Sequence, residues 1–301
     1  MLASQSNQPR QTPQTQTAYR VLKIGWNRRP DLYLDFYNLR EEPFSITPDP
    51  RFLFFSAKHQ EAFNHLLFGI HQRKGFIELT GEVGAGKTTI CRKILEELGD
   101  NYKTALILNP CLSAHQLLKT IVLEFGLKPR GIDRVAYLEA LNDFVLAEVN
   151  AGHDVVLVID EAQDLSDELL EQVRLLSNLE TDHQKLMQIV LMGQPELRDK
   201  LAQPKLRQLR QRITVRYHLA PLTLDETATY IQYRLAQAGA NGRPQFDDSA
   251  IKQIYKYSGG IPRLINAASD KALLAGFVHQ TDVINKFLVK LAIEELDGVP
   301  A

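Results

Sequence analysis

The sequence predicts an α/β protein, with a parallel sheet flanked by helices and a smaller all-helical unit after it. Three stretches predict this. Gly81-Glu82-Val83-Gly84-Ala85-Gly86-Lys87-Thr88 lies between an apolar run at 75–80 and a helix-like run at 89–98. Residues 154–161 form an aliphatic, largely β-branched run that ends in Asp160 and Glu161. After Pro221 every apolar pattern has helical spacing.

Strand, glycine-rich loop, helix, with the spacing G-x-x-x-x-G-K-T, is the pattern of a phosphate-binding loop. Gly81, Gly84 and Gly86 let the backbone bend. The N–H groups of the loop, including those of Glu82, Val83 and Ala85, can then face a phosphate. The helix that follows, with Thr89 in its first turn, adds the positive end of its dipole. Lys87 can reach the β- and γ-phosphates, and the Thr88 hydroxyl can ligate Mg²⁺. The expected ligands are therefore ATP and Mg²⁺.

The 301 residues suit one large or two modest domains. A formal net charge of −1 excludes a global polycation, while leaving room for a local basic patch. Two cysteines, Cys91 and Cys111, suggest reduced thiols and no disulfide framework, and neither has a neighbour at zinc-ligand spacing. No apolar run approaches the roughly 20 residues of a membrane span, and the N-terminus has no apolar signal segment. The expectation is a cytoplasmic protein without an integral membrane segment.

Residues 1–18 are rich in Gln, Thr, Ser and Pro, a composition of disorder. Residues 19–30 mix Val21, Leu22, Ile24 and Trp26 with basic side chains and read as a docking segment, a basic arm or a partly ordered lead-in. Pro43, Pro48 and Pro50 favour an extended path. Ser56 caps a helix to about Gln72, which either covers an adenine base or simply packs. Residues 103–109 read as a buried strand. The capping box Ser113-x-x-Gln116 opens a helix that ends by Gly126, and another helix covers about 134–150.

The run 154–161 suits a strand buried on both faces. In a phosphate-loop fold, Asp160 at its end would hold the Mg²⁺ shell and Glu161 would polarise the attacking water. Ser166 caps the next helix, whose apolar face includes Leu169, Val173, Leu176 and Leu179. Residues 187–193 and 213–219 read as further strands. The capping box Thr223-x-x-Glu226 opens a run of helices at about 224–238, 247–257, 262–278 and 283–294. The expected division is an arm at 1–30, an ATPase domain at 31–220 and a helical unit at 221–301.

The segments 81–88 and 156–161 resemble the Walker A and Walker B motifs of AAA+ ATPases. That resemblance implies a P-loop AAA+ core with a small helical lid. It places Gln194 as the sensor 1 residue, Arg263 in Gly259-Gly260-Ile261-Pro262-Arg263 as sensor 2, and an arginine finger within 206–213. Arg212 best matches the finger position, with Arg210 as runner-up. The stretches at 36–39 and 42–53, and Gly193-Gln194-Pro195-Glu196-Leu197, resemble the ExeA-like group of general secretion pathway A and MSHA biogenesis. Members of the secretion type usually continue into a transmembrane helix and a peptidoglycan-binding domain, whereas this sequence ends after the lid-like part. The core is also similar to the TniB and TnsC transposition ATPases.

The resemblance implies ATP hydrolysis, homo-oligomeric rings or filaments, and a protein partner to switch. The alternative is an ATP-gated assembly factor on duplex DNA. Lys200, Lys205, Arg207, Arg210, Arg212 and Arg216 form a dense basic segment best explained as a subunit interface. Lys119, Lys128 and Arg130 are the candidates for a pore-facing surface.

Overall fold

The computed structural model describes residues 33–45, 50–52, 54–108, 110, 113–177 and 185–298. The arm at 1–30, residues 46–49, Cys111 and Leu179 lie outside the described residues.

Five parallel strands form the sheet: β1 (Phe76–Gly81), β2 (Tyr102–Ile107), β3 (Asp154–Ile159), β4 (Met187–Gly193) and β5 (Ile213–Leu219). Their order is β2-β3-β4-β1-β5. Alternation along the strands divides the core into two layers. Val155, Leu157, Ile159, Ile189 and Leu191 face one layer, and Val156, Val158, Val190, Ile77 and Leu79 face the other. Because both faces are covered, the central strands read as continuous apolar runs.

The second face is covered by helix α2 (Ala57–His71), capped by Ser56, and α3 (Lys87–Leu98), which follows the glycine-rich loop. The first face is covered by α4 (Ala114–Glu124), α5 (Arg134–Asn150) and α6 (Asp167–Leu176). The expected caps at Ser56, Ser113, Ser166 and Thr223 all form, two of them as capping boxes. Between β4 and β5 lie two short helices, α7 (Pro195–Leu201) and α8 (Arg207–Arg212), that the apolar spacing does not anticipate. Each is too short to complete an apolar stripe. Pro195 at the first helical position is the only local signal.

The C-terminal helices are α9 (Leu224–Gln237), α10 (Asp248–Ser258), α11 (Pro262–Val278) and α12 (Lys286–Leu296). The expectation of helices alone is corrected by a parallel pair of two-residue strands, β6 (Gln245–Phe246) and β7 (Val283–Ile284). Two residues cannot register a period of two. The N-terminal segment, including the short helix α1 (Leu34–Tyr37), shares the core of these helices. Leu34, Tyr37, Leu39, Phe44 and Phe52 pack with Tyr230, Ile254, Leu273 and Leu288. The Tyr37 hydroxyl donates to the Leu273 carbonyl at 3.1 Å. Among the described residues, no helix is long and apolar enough to cross a membrane.

Candidate active site

The strand order places the C-terminal end of β4 between those of β3 and β1. The glycine-rich loop, Asp160 with Glu161, and Gln194 are thereby brought to one edge of the sheet, where ligands of open parallel sheets bind.

The three glycines have different reasons. Gly84 and Gly86 have φ of +79° and +100°, the left-handed region that favours glycine. Gly81 does not. It is glycine because a Cβ there would lie 2.8 Å from the Leu219 carbonyl oxygen of β5. A Cβ on Gly84 would lie 2.4 Å from Cβ of Arg263, so the loop fits directly against the start of α11. The Arg263 N–H donates to the Gly84 carbonyl at 3.2 Å, which ties loop to helix.

Lys87 is buried. Its ammonium donates to the carbonyls of Gly81 at 2.7 Å and Glu82 at 3.0 Å. Burial pushes its pKa down, against the opposing pull of Glu161 and Asp160. The Thr88 hydroxyl donates to Asp160 Oδ2 at 2.6 Å, and Asp160 Oδ1 accepts the Glu161 N–H at 2.9 Å. Glu161 Oε2 accepts from Gln163 at 2.7 Å and from Gln194 at 3.3 Å.

Lys87, Thr88 and Glu161 open onto one cleft between sheet and C-terminal helices. Val83, Gly84, Gly86, Lys87, Thr88 and Thr89 line its loop side. Glu161 and Arg263 line it as well. Its far wall is Phe52, Phe54, Tyr230 and Arg234. Glu82 and Ala85 contribute main-chain carbonyls behind the cleft, to Lys87 and His59. Arg210 and Arg212 are not brought here. Ile213 pairs with Phe76, the first residue of β1, whereas the loop follows the last. At the rise of a parallel strand, the two ends of the six-residue β1 are about 17 Å apart. Arg212 is half-buried and donates to Ser177 Oγ at 2.6 Å, while Arg210 is exposed.

Three residues of the site escape sequence reasoning. Gln163 carries only its place two residues after Glu161 as a signal. Arg234 is buried on α9, donates to the carbonyls of Pro43 at 2.5 Å and Ser45 at 3.1 Å, and lies over the Phe52 ring at 4.7 Å. It clasps the N-terminal segment to the C-terminal helices, and nothing local in the sequence marks it. His59 is buried against the loop. Its Nε2 bonds to the Ala85 carbonyl at 3.1 Å, so it carries the proton, and Nδ1 accepts from Ser56 Oγ at 2.7 Å. Its neutral form satisfies both contacts.

Desolvation lowers the His59 pKa below its ordinary 6.5, against the opposing effects of the Ala85 bond and Glu226. As pH falls, the unfolded chain takes up this proton before the folded one. The stability that neutral His59 contributes is present above the unfolded value and is lost as pH falls toward the folded one. From about pH 7.5 to about pH 5.5, wild-type protein should therefore lose more melting temperature than His59→Gln. Parallel losses in the two proteins would remove His59 as a titrating brace of the loop.

Comparison with known proteins agrees with this geometry. Residues 70–201 match the family model described as AAA domain. General secretion pathway protein A of Aeromonas hydrophila is 45% identical over 271 residues, covering 89% of this chain and 49% of that protein. The chain thus spans about half the length of that relative. Among solved structures, Cdc6p of Pyrobaculum aerophilum superposes with a TM-score of 0.64 at 18% identity, over 84% of this chain and 70% of that one. The ORC2 protein of Aeropyrum pernix, solved in ADPNP–ADP complexes, gives 0.59 at 18% identity, over 81% and 68%. The RuvB branch migration motor of Thermotoga maritima gives 0.53 at 21% identity, over 81% and 70%. At these identities the structural matches establish the fold.

Proposed function

Because this chain is an AAA+ protein related to General secretion pathway protein A, we propose that it binds ATP in the cleft of Lys87 and Glu161 and hydrolyses it. The observation that carries the reading is the bond from Thr88 to Asp160, with Glu161 next in the chain and Lys87 at the same opening. A hydroxyl and a carboxylate converging at 2.6 Å form the hard oxygen pair that suits Mg²⁺, which binds few protein oxygens and completes its shell with phosphates and water. Thr88 and Asp160 would hold the ion, which when bound draws negative charge off the phosphates.

The chain's own groups supply the rest. Lys87 exchanges its two carbonyl partners for phosphate oxygens. Arg263 faces the same phosphates from the helical side. Glu161 takes the proton of a water whose oxygen bonds to the γ-phosphorus, while the bond from that phosphorus to the β-phosphate oxygen breaks. ADP and inorganic phosphate leave. Gln194 holds Glu161 in place. Phe52 and Phe54 offer aromatic faces to the base.

Assembly of several copies completes the site. A guanidinium at the far end of the sheet serves a neighbour's pocket, because its own is beyond reach. Exposure favours Arg210 for this role, since Arg212 is held by Ser177. The helical unit 221–301 closes over the nucleotide, and the assembled ATPase acts from the cytoplasm on a protein partner, as its relation to a secretion protein suggests. The test is release of inorganic phosphate from ATP with and without Mg²⁺, beside electron microscopy with and without duplex DNA. Mg²⁺-dependent release from rings or filaments supports the reading. Absence of release overturns it, and assembly only on DNA would replace the secretion-type role by the transposition type.

A further inference from the structure

The turn after β3 is fastened to two other elements, and the fastenings meet at Glu161. That residue has φ +48°, uncommon for a residue with a side chain, so its surroundings must hold it. A single 3-10 turn, Ala162–Asp164, follows it. The Gln163 carboxamide in this turn works in two directions. Its Oε1 accepts the backbone N–H of Gln194 at 3.0 Å, and its Nε2 donates to Glu161 Oε2 at 2.7 Å. The Gln194 carboxamide donates to the same oxygen at 3.3 Å. Glycine at 193 leaves this room, since a Cβ there would lie 2.6 Å from Gln163 Oε1 and 2.9 Å from Leu197 Cδ2 and would displace the amide. Beneath the turn, Lys200 of α7 donates to the carbonyl of Gln163 at 2.8 Å and to that of Leu165. The turn is thus pinned through a side chain to the end of β4 and through its main chain to α7.

We propose that Gln163 is a positioning residue for Glu161, with Lys200 fastening the backbone that carries it. The inference rests on the reading of the cleft as an ATPase site. A glutamate at the mouth of a cleft otherwise samples several side-chain rotamers, and only some of them face a water beside the γ-phosphate. Two amide donors converge on Oε2, which fixes the carboxylate plane and leaves Oε1 to accept the proton. Gln163 touches neither the nucleotide nor the water, and its effect passes entirely through Glu161.

Two substitutions in the full chain separate this role from simple support. Gln163→Ala removes both bonds. Gln163→Glu keeps an oxygen for the Gln194 N–H but replaces the donor toward Glu161 with a second carboxylate. Phosphate release gives kcat and KM, and equilibrium binding of a fluorescent ATP analogue gives affinity. We expect Gln163→Ala to lower kcat about 10- to 100-fold, the scale of a misplaced reacting group, with affinity changed less than about twofold. Gln163→Glu should lose at least as much. If the residue only tied the turn to β4, Gln163→Glu would keep near wild-type kcat. Lys200→Ala should lower kcat, and Lys200→Arg should restore part of it.

Unchanged or raised kcat in Gln163→Ala, or wild-type kcat in Gln163→Glu, overturns the inference. Where wild-type protein hydrolyses ATP in a Lys87-dependent way, such a result removes the positioning role alone. Where wild-type protein has no such activity, the ATPase reading falls and this inference falls with it.

Discussion

Lys87→Ala is expected to release no phosphate from ATP above background. The ammonium is the one buried cation at the base of the loop, and it is already placed on two carbonyls that a phosphate oxygen would replace. Hydrogen bonds to charged groups contribute about 1.5–3 kcal/mol, so nucleotide affinity should also fall about 10- to 100-fold. The substitution leaves the Gly81 and Glu82 carbonyls without that partner, and some stability will go with it. Thermal melting, recorded with the activity, separates that cost from the catalytic one. An ATPase rate equal to wild type in folded protein would sink the assignment of the loop.

Arg210→Ala is expected to lower the rate about 10³-fold or more, the scale of guanidinium groups that stabilise transferring phosphate in trans. Its own pocket should bind ATP as before, because α8 joins β5 opposite the first residue of β1, whereas the loop follows the last. The decisive form of the experiment mixes two inactive proteins. Lys87→Ala subunits offer an intact arginine segment, and Arg210→Ala subunits offer an intact pocket. Activity should reappear where they adjoin in the right order. A parallel mixture with Arg212→Ala tests the residue that best fits the family position but is engaged with Ser177. If neither mixture gains activity at any ratio, no arginine of this pair acts in trans.

The chemistry of the loop was legible because it is local. Gly81 to Thr88 and Asp160 with Glu161 announce themselves through spacing and flanking apolar runs, and capping residues mark the helix starts. What was not legible depends on residues distant in the chain. Strand order sets β4 between β3 and β1, and only that order brings Gln194 onto Glu161 and Gln163. His59 reaches Ala85 across 26 positions, and Arg234 reaches Pro43 across 191. The prolines near Phe44 mark only an extended path, and nothing local shows that Phe44 and Phe52 bury themselves among the C-terminal helices. Arg212 best matches the family position, and nothing local in the sequence marks its bond to Ser177, 35 positions away. The helices α7 and α8 and the β6–β7 pair are too short for periodicity to register.

The most direct test of the account is the fate of ATP bound to Glu161→Gln. The amide preserves the size and polarity of the side chain but cannot take up the water's proton. Under single-turnover conditions with Mg²⁺, radiolabelled ATP bound to wild-type protein should be converted to ADP and phosphate. On Glu161→Gln the same ATP should bind and remain intact, with conversion slowed at least about 10²-fold, the usual scale for loss of a general base. Equal conversion by the two proteins, or failure of the variant to bind ATP at all, would contradict the placement of the hydrolytic base at Glu161.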